Sequence, residues 1–184
     1  MKKSSKFKVQ SSKFGFTLIE LLISIGLFAT ITTVIISVLF TSFRASKKAE
    51  VIVAVKETGT SVLSRIVSGV RYARRLDDPV SCVPFVEQSS ITLTSYDGGQ
   101  TTYYCPDEIA GIWTISSNSA ELVNTSVASV VENSCSFTCS QETPSDAPTI
   151  TIKFDLSAAR ATDFVETSST IPFQTSVIMR NFTR

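Results

Sequence analysis

Histidine is missing from all 184 residues. Its absence removes the commonest general base, the Ser/His/Asp and Cys/His nucleophile systems and every His-ligated metal site. No phosphate loop, nucleophile elbow or internal repeat is present either, so the sequence reads as a non-enzyme. Acidic residues are missing from the first fifteen positions, which hold Lys2, Lys3, Lys6, Lys8 and Lys13. The chain as a whole is almost neutral at +1, but without those fifteen residues it has twelve basic side chains against sixteen acidic, a net of −4. A mildly acidic chain with no basic patch argues against nucleic acid as the monomer's main partner. An assembled tip could still gather scattered Lys and Arg.

Charge is also missing from Leu21–Phe43, and Glu20 is the one ionisable side chain between Phe16 and Phe43. At 1.5 Å per residue, about 20 apolar residues span a bilayer core, so this segment is long enough. In lipid a single segment can satisfy its backbone only as a helix. The leader lysines mark the cytoplasmic side, which places the C-terminal part outside a cytoplasmic (inner) membrane. Arg44, Lys47 and Lys48 oppose that orientation but are outnumbered. An ordinary secretory signal would have an apolar run of 7–15 residues followed by small residues of the A-x-A kind. No such site follows here, and the small residue at the compositional break is Gly15, on the near side.

Glu20 weighs against a plain signal or a plain anchor. A carboxylate inside a spanning helix is costly unless it finds a partner. Cutting the chain after Gly15 would make the α-amino group of Phe16 a cation in the same apolar setting. The amine of one subunit and Glu20 of a neighbour could then neutralise each other, which fixes a stagger between packed helices.

Gly15-Phe16-Thr17-Leu18-Ile19-Glu20, after a short basic leader and before an unbroken apolar helix, resembles the class III signal of type IV pilins and type II secretion pseudopilins. The resemblance implies that a prepilin peptidase cleaves after Gly15 and N-methylates Phe16, and that Glu20 aids docking into a growing filament. It also implies as partners other pilin or pseudopilin subunits, an inner-membrane assembly platform driven by a cytoplasmic ATPase, and membrane lipid. The signal covers residues 1 to about 43.

Beyond the span, Val55, Val62, Ile66, Val70 and Ala73 recur at helical spacing, with Leu63 and Val67 beside them. One helix is expected from Phe16 to Leu76, about 90 Å long, stopped by Asp77-Asp78-Pro79. Two features cut across that reading: Val51–Val55 is partly strand-like, and Gly59 and Gly69 each cost roughly 1 kcal/mol in a helix. From Ile91 the pattern turns to β, with a hairpin Ile91–Tyr96 / Thr101–Cys105 around Asp97-Gly98-Gly99. A second hairpin is expected around Ser117-Asn118-Ser119, and further strands at Ser136–Cys139, Thr149–Asp155 and Phe173–Asn181, with polar loops at Gln141–Pro148 and Ser157–Ser169. The expected fold is α+β: a long N-terminal helix whose first half spans the membrane and whose second half packs against one antiparallel sheet of five to seven strands. Its parts are a leader (1–15), a transmembrane or filament-core helix (16–43), an amphipathic continuation (44–76) and an extracytoplasmic β domain (77–184).

The terminal strand, with Thr175, Val177, Arg180 and Asn181 matching a T-x-V-x-x-R-N ending, resembles minor pseudopilins of the J type and similar minor pilins. That resemblance implies a structural, minor subunit of a pilus or secretion pseudopilus. The alternative is a single-span, membrane-anchored extracytoplasmic binding protein that does not assemble.

The cysteines, Cys82, Cys105, Cys135 and Cys139, all follow the apolar segment. In an exported domain they imply two disulfides with three possible pairings. The preferred pairing is Cys82–Cys105 with Cys135–Cys139. For a four-Cys zinc site, Cys82 and Cys105 lie too far apart in sequence. Asp97, Asp107 and Glu108 could line a Ca²⁺ loop, but no spacing demands it and turn solvation is the simpler reading. No cofactor or metal is called for. Tyr103, Tyr104 and Trp113 are expected in the core rather than on an adhesive surface. Asn124-Thr125-Ser126 and Asn181-Phe182-Thr183 match the glycosylation acceptor pattern, which carries little weight in a bacterial protein.

Overall fold

A computed structural model describes residues 15–77, 82, 87–109, 111–142, 146–159 and 169–182. The leader lysines, Asp78-Pro79, residues 143–145 and 160–168, and Thr183 lie outside them. The chain divides into two compact units, Met1–Arg44 and Ala45–Arg184, and helix α1 (Leu18–Tyr72) contributes to both.

In the first unit, α1 is exposed over its whole length, with no buried residue before Val51 in the helix. It is apolar enough to cross a membrane, with a mean hydropathy of 2.4 over its best window. Six of its seven hydroxyls in this unit, all but that of Ser42, bond back to the helix. Ser24, Thr32, Thr33 and Thr41 donate to the carbonyls four residues back, and Thr30 and Ser37 to those three back. A hydroxyl bonded to its own helix leaves little unmet polarity on an apolar surface.

In the second unit, α1 buries Val55, Gly59, Val62, Ile66 and Val70, and Ala73 continues the stripe just past its end. The expected stripe is borne out, and the strand-like Val51–Val55 is helical because Val55 is needed in that core. The helix ends at Tyr72, four residues before the expected stop. Ala73 N closes the last turn on Gly69 O and Val70 O, and Arg74 N donates instead to Thr94 O. Arg75–Leu76 forms β1, paired with β2. An available sheet edge ends the helix before the acidic pair is reached.

The β region is two antiparallel sheets, which corrects the expected single sheet. The first runs in the order β1-β2-β3-β4-β5, with β2 Ser90–Thr94, β3 Gln100–Ile109, β4 Ile112–Ser117 and β5 Ala120–Glu121. Both expected hairpins are present. The second turns at Asn118 and Ser119 with φ of 48° and 69°, the left-handed geometry of a type I′ turn. The second sheet holds β6 Ala128–Val130, β7 Ser136–Ser140, β8 Thr149–Ala158 and β9 Thr170–Ile178. Strand β9 pairs along β8 from Thr149 to Ser157, while β7 and β6 take Thr149–Lys153 and Leu156–Ala158 in turn. The short β6 had no expected counterpart, β8 runs on into the expected Ser157–Ser169 loop, and β9 stops at Ile178 rather than Asn181.

One hydrophobic core joins the helix stripe to both sheets, with Leu93, Tyr103 and Ile115 from the first and Phe137, Phe154, Leu156 and Phe173 from the second. A bridge links them directly: Gln88 and Phe137 exchange two backbone bonds of 2.9 Å.

Candidate functional site

Gly15, Phe16 and Thr17 precede the first helical residue in non-helical backbone, and all three are exposed. A peptide bond outside a helix has its N–H and C=O open to an enzyme, which suits the Gly15–Phe16 bond to cleavage. Nothing lies within 4 Å of where a Gly15 Cβ would stand. Thr17 caps α1: Glu20 N donates to Thr17 Oγ1 at 3.3 Å, and Glu20 N and Leu21 N close on Thr17 O at 3.1 and 3.2 Å. Thr17-Leu18-Ile19-Glu20 is thus an N-cap with an acidic residue at the third helical position, the T-x-x-E pattern of a capping box. The sequence reading gave Thr17 no role, although the four-residue spacing was there to find. Glu20 therefore sits in the first turn, where its charge favours the helix N-terminus. It is exposed, and among the described residues no cation lies within ion-pair distance.

Phe16, Leu18, Leu22, Phe28, Val34, Phe40 and Phe43 are among the large apolar side chains left exposed around this helix. Since they point all round it, the surface is not a stripe for one neighbour. It needs lipid or several packed helices to cover it.

The other sequence-selected residues lie in the second unit and do not converge. The disulfides are Cys82–Cys139 and Cys105–Cys135, not the preferred pairing. Cys139 lies on β7 and Cys135 immediately precedes it. Four residues of extended chain separate Cα atoms by about 13 Å, far beyond the ~6 Å a disulfide spans. Cys105 instead meets Cys135 at a Cα distance of 5.5 Å, tying β3 to the second sheet.

Asp97 turns back on its own hairpin, accepting from Gly99 N at 3.0 Å. Glu108 is on β3, as is the backbone of Asp107. Among the described residues, no three His, Cys, Asp or Glu side chains come close enough to hold a metal. Tyr103 is buried and Trp113 packs against the core, whereas Tyr104, on the alternate face of β3, is nearly half exposed. Burial holds the Tyr103 phenol above its ordinary value, partly offset by its hydrogen bond with Ser117. A hollow of about 490 Å³ is a shelf along one helix face beside Val53, Lys56, Glu57, Thr60, Ser61 and Ser64, with no nucleophile–base pair among them.

No family model, no curated protein and no solved structure matches the chain.

Proposed function

We propose that this chain is a structural, minor subunit of a type IV pilus or type II secretion pseudopilus. It is made as a membrane-inserted precursor, cut after Gly15, N-methylated at Phe16 and assembled through α1. The observation that carries the reading is a helix whose first half is exposed and apolar on every side and starts at a Thr17 cap, with Glu20 as the one carboxylate of that half. The internally bonded hydroxyls support it, because such a helix can move from lipid to a helix-packed filament core with little bare polarity exposed. In the filament the Phe16 amine of one subunit neutralises Glu20 of its neighbour, so cleavage creates a cation that can serve as the partner of Glu20.

Mass spectrometry of the membrane-extracted protein tests this. The expected chain begins at N-methyl-Phe16, and Gly15→Ala blocks its appearance. Glu20→Val leaves processing intact but strongly reduces the subunit recovered in sheared filaments. An intact leader, or a cut beyond Phe43, overturns the reading. Correct processing with no recovery in any filament would favour the anchored, non-assembling binding protein instead.

A further inference from the structure

The two disulfides differ in how closely a reagent can approach them. Both residues of the inner bridge are buried, Cys105 at 0% and Cys135 at 7% exposure. In the outer bridge Cys139 is buried at 4%, on β7, but Cys82 is only partly buried where it packs against the core. Cys82 is therefore the one cysteine of the four that keeps appreciable surface. The depth of the inner bridge follows from its place in the fold. Cys105 lies on β3 two residues after the buried Tyr103, and Cys135 lies two residues before Phe137, which bonds to Gln88 where the two sheets meet.

Thiol–disulfide exchange is a displacement in which a thiolate must reach one sulfur of the bridge, so its rate depends on access as well as on the thiol. We infer that Cys82–Cys139 is an exchangeable bridge, opened and closed in the folded domain at the Cys82 sulfur by a dithiol partner of the thiol–disulfide oxidoreductase class. Cys105–Cys135 stays closed. In the opening direction one thiolate of the dithiol attacks Cys82 Sγ, the bond to Cys139 breaks, and the Cys139 sulfur leaves as a thiolate that takes up a proton. The second thiol of the partner then attacks the mixed disulfide and releases Cys82. Two electrons pass from the dithiol to the bridge, and the dithiol ends as a disulfide. Closing runs the same steps backwards from the oxidised partner. The order of closure follows from burial. Cys105 and Cys135 must meet an oxidant before the sheets pack over them, whereas the outer bridge can be closed or corrected once the core has formed. The inference goes beyond the filament reading and does not rest on it, since bridge reactivity is measured whether or not the chain assembles.

The test uses the full-length chain in detergent, with dithiothreitol as the dithiol, a quench with N-ethylmaleimide and peptide mapping of the label. In the folded protein Cys82 and Cys139 should become labelled about tenfold or more faster than Cys105 and Cys135. Their rate should rise in proportion to dithiothreitol, and near-ultraviolet circular dichroism should hold while only the outer bridge is open. In denaturant the two bridges should open at comparable rates, since access is then equal. Single variants identify the sulfur attacked. The free Cys82 of Cys139→Ser should react with the maleimide about tenfold or more faster than the free Cys139 of Cys82→Ser. Equal rates for the two bridges in the folded protein, or the inner bridge opening first, overturn the inference. So does a rate that reaches a plateau with dithiothreitol, which would mean that the outer bridge opens only through unfolding. A Cys139 labelled as fast as Cys82 overturns it as well.

Discussion

Tyr103 and Tyr104 are chemically alike and adjacent, yet the pleat of β3 puts one in the core and the other at the surface. That split follows from strand alternation, so the core position of Tyr103 was legible in the sequence. Its hydrogen bond to Ser117 was not, because it depends on the β3–β4 register, in which Tyr103 faces Ser117. The bond and the burial have opposite effects, and burial dominates, so the folded phenol ionises at higher pH than the unfolded one. The folded state therefore keeps its proton where the unfolded state has begun to lose it. The stabilisation is fully present below the ordinary value of 10.0 and is lost as pH rises from there through the raised folded value. Tyr103→Phe removes the titration. Unfolding free energies of the two proteins should run parallel from pH 7 to about 9.5 and converge at higher pH as the wild type loses stability faster. A constant difference up to pH 11 would show that Tyr103 titrates no differently in the two states.

At the scale of elements, the helix stripe was readable because apolar side chains at helical spacing have one physical solution, burial of that face. The glycines within it were read as local costs. The fold gives them a purpose. A Cβ on Gly59 would clash with the tip of the Phe173 ring, and one on Gly69 would fall against the Tyr103 hydroxyl. Each sheet therefore seats an aromatic side chain directly on the backbone of α1, the second sheet at Gly59 and the first at Gly69. No sequence pattern reports such an approach, since the ring and its glycine are 114 residues apart in one case and 34 in the other. Gly59→Ala sets two effects against each other. Alanine favours the helix by about 1 kcal/mol, whereas overpacking a buried site costs typically 1–3 kcal/mol. Phe173 cannot easily move aside, because it stacks on the fully buried Phe154 at 5.3 Å. The net expectation is destabilisation of about 1–2 kcal/mol in denaturant unfolding. Gly59→Ala with Phe173→Leu should recover part of that loss, and no recovery would mean that Phe173 is not the obstacle.

At the scale of the whole chain, the order of elements and both hairpins were legible, but the division of the strands into two sheets was not. Alternation tells each strand which face it buries and says nothing about which edge it joins. The disulfide error has the same origin. Nearest-neighbour pairing of cysteines ignores that an extended strand carries Cys135 and Cys139 apart, and only the packing of the two sheets brings Cys105 to one and Cys82 to the other. The bridges are nested: Cys82–Cys139 spans 57 residues and encloses Cys105–Cys135, which spans 30. In the chain-entropy account, loops of these lengths each stabilise by about 4 kcal/mol when formed alone. Nesting lowers the contribution of each bridge in the presence of the other by the same amount, because the two share part of one loop. Since chain entropy then ranks the two about equally, the order is set by packing: Cys105→Ala/Cys135→Ala, which unties the two sheets, should cost more than Cys82→Ala/Cys139→Ala. Both losses should fall at about 2–4 kcal/mol, or roughly 5–15 °C in the melting temperature of a domain this size. A peptide map without reductant comes first, and it should yield fragments joining Cys82 to Cys139 and Cys105 to Cys135. Fragments joining Cys135 to Cys139 would contradict the extended strand at Ser136–Ser140. With the pairing established, a larger loss from the outer pair than from the inner would show that the segment around Cys82, rather than the junction of the sheets, limits the stability of the second unit.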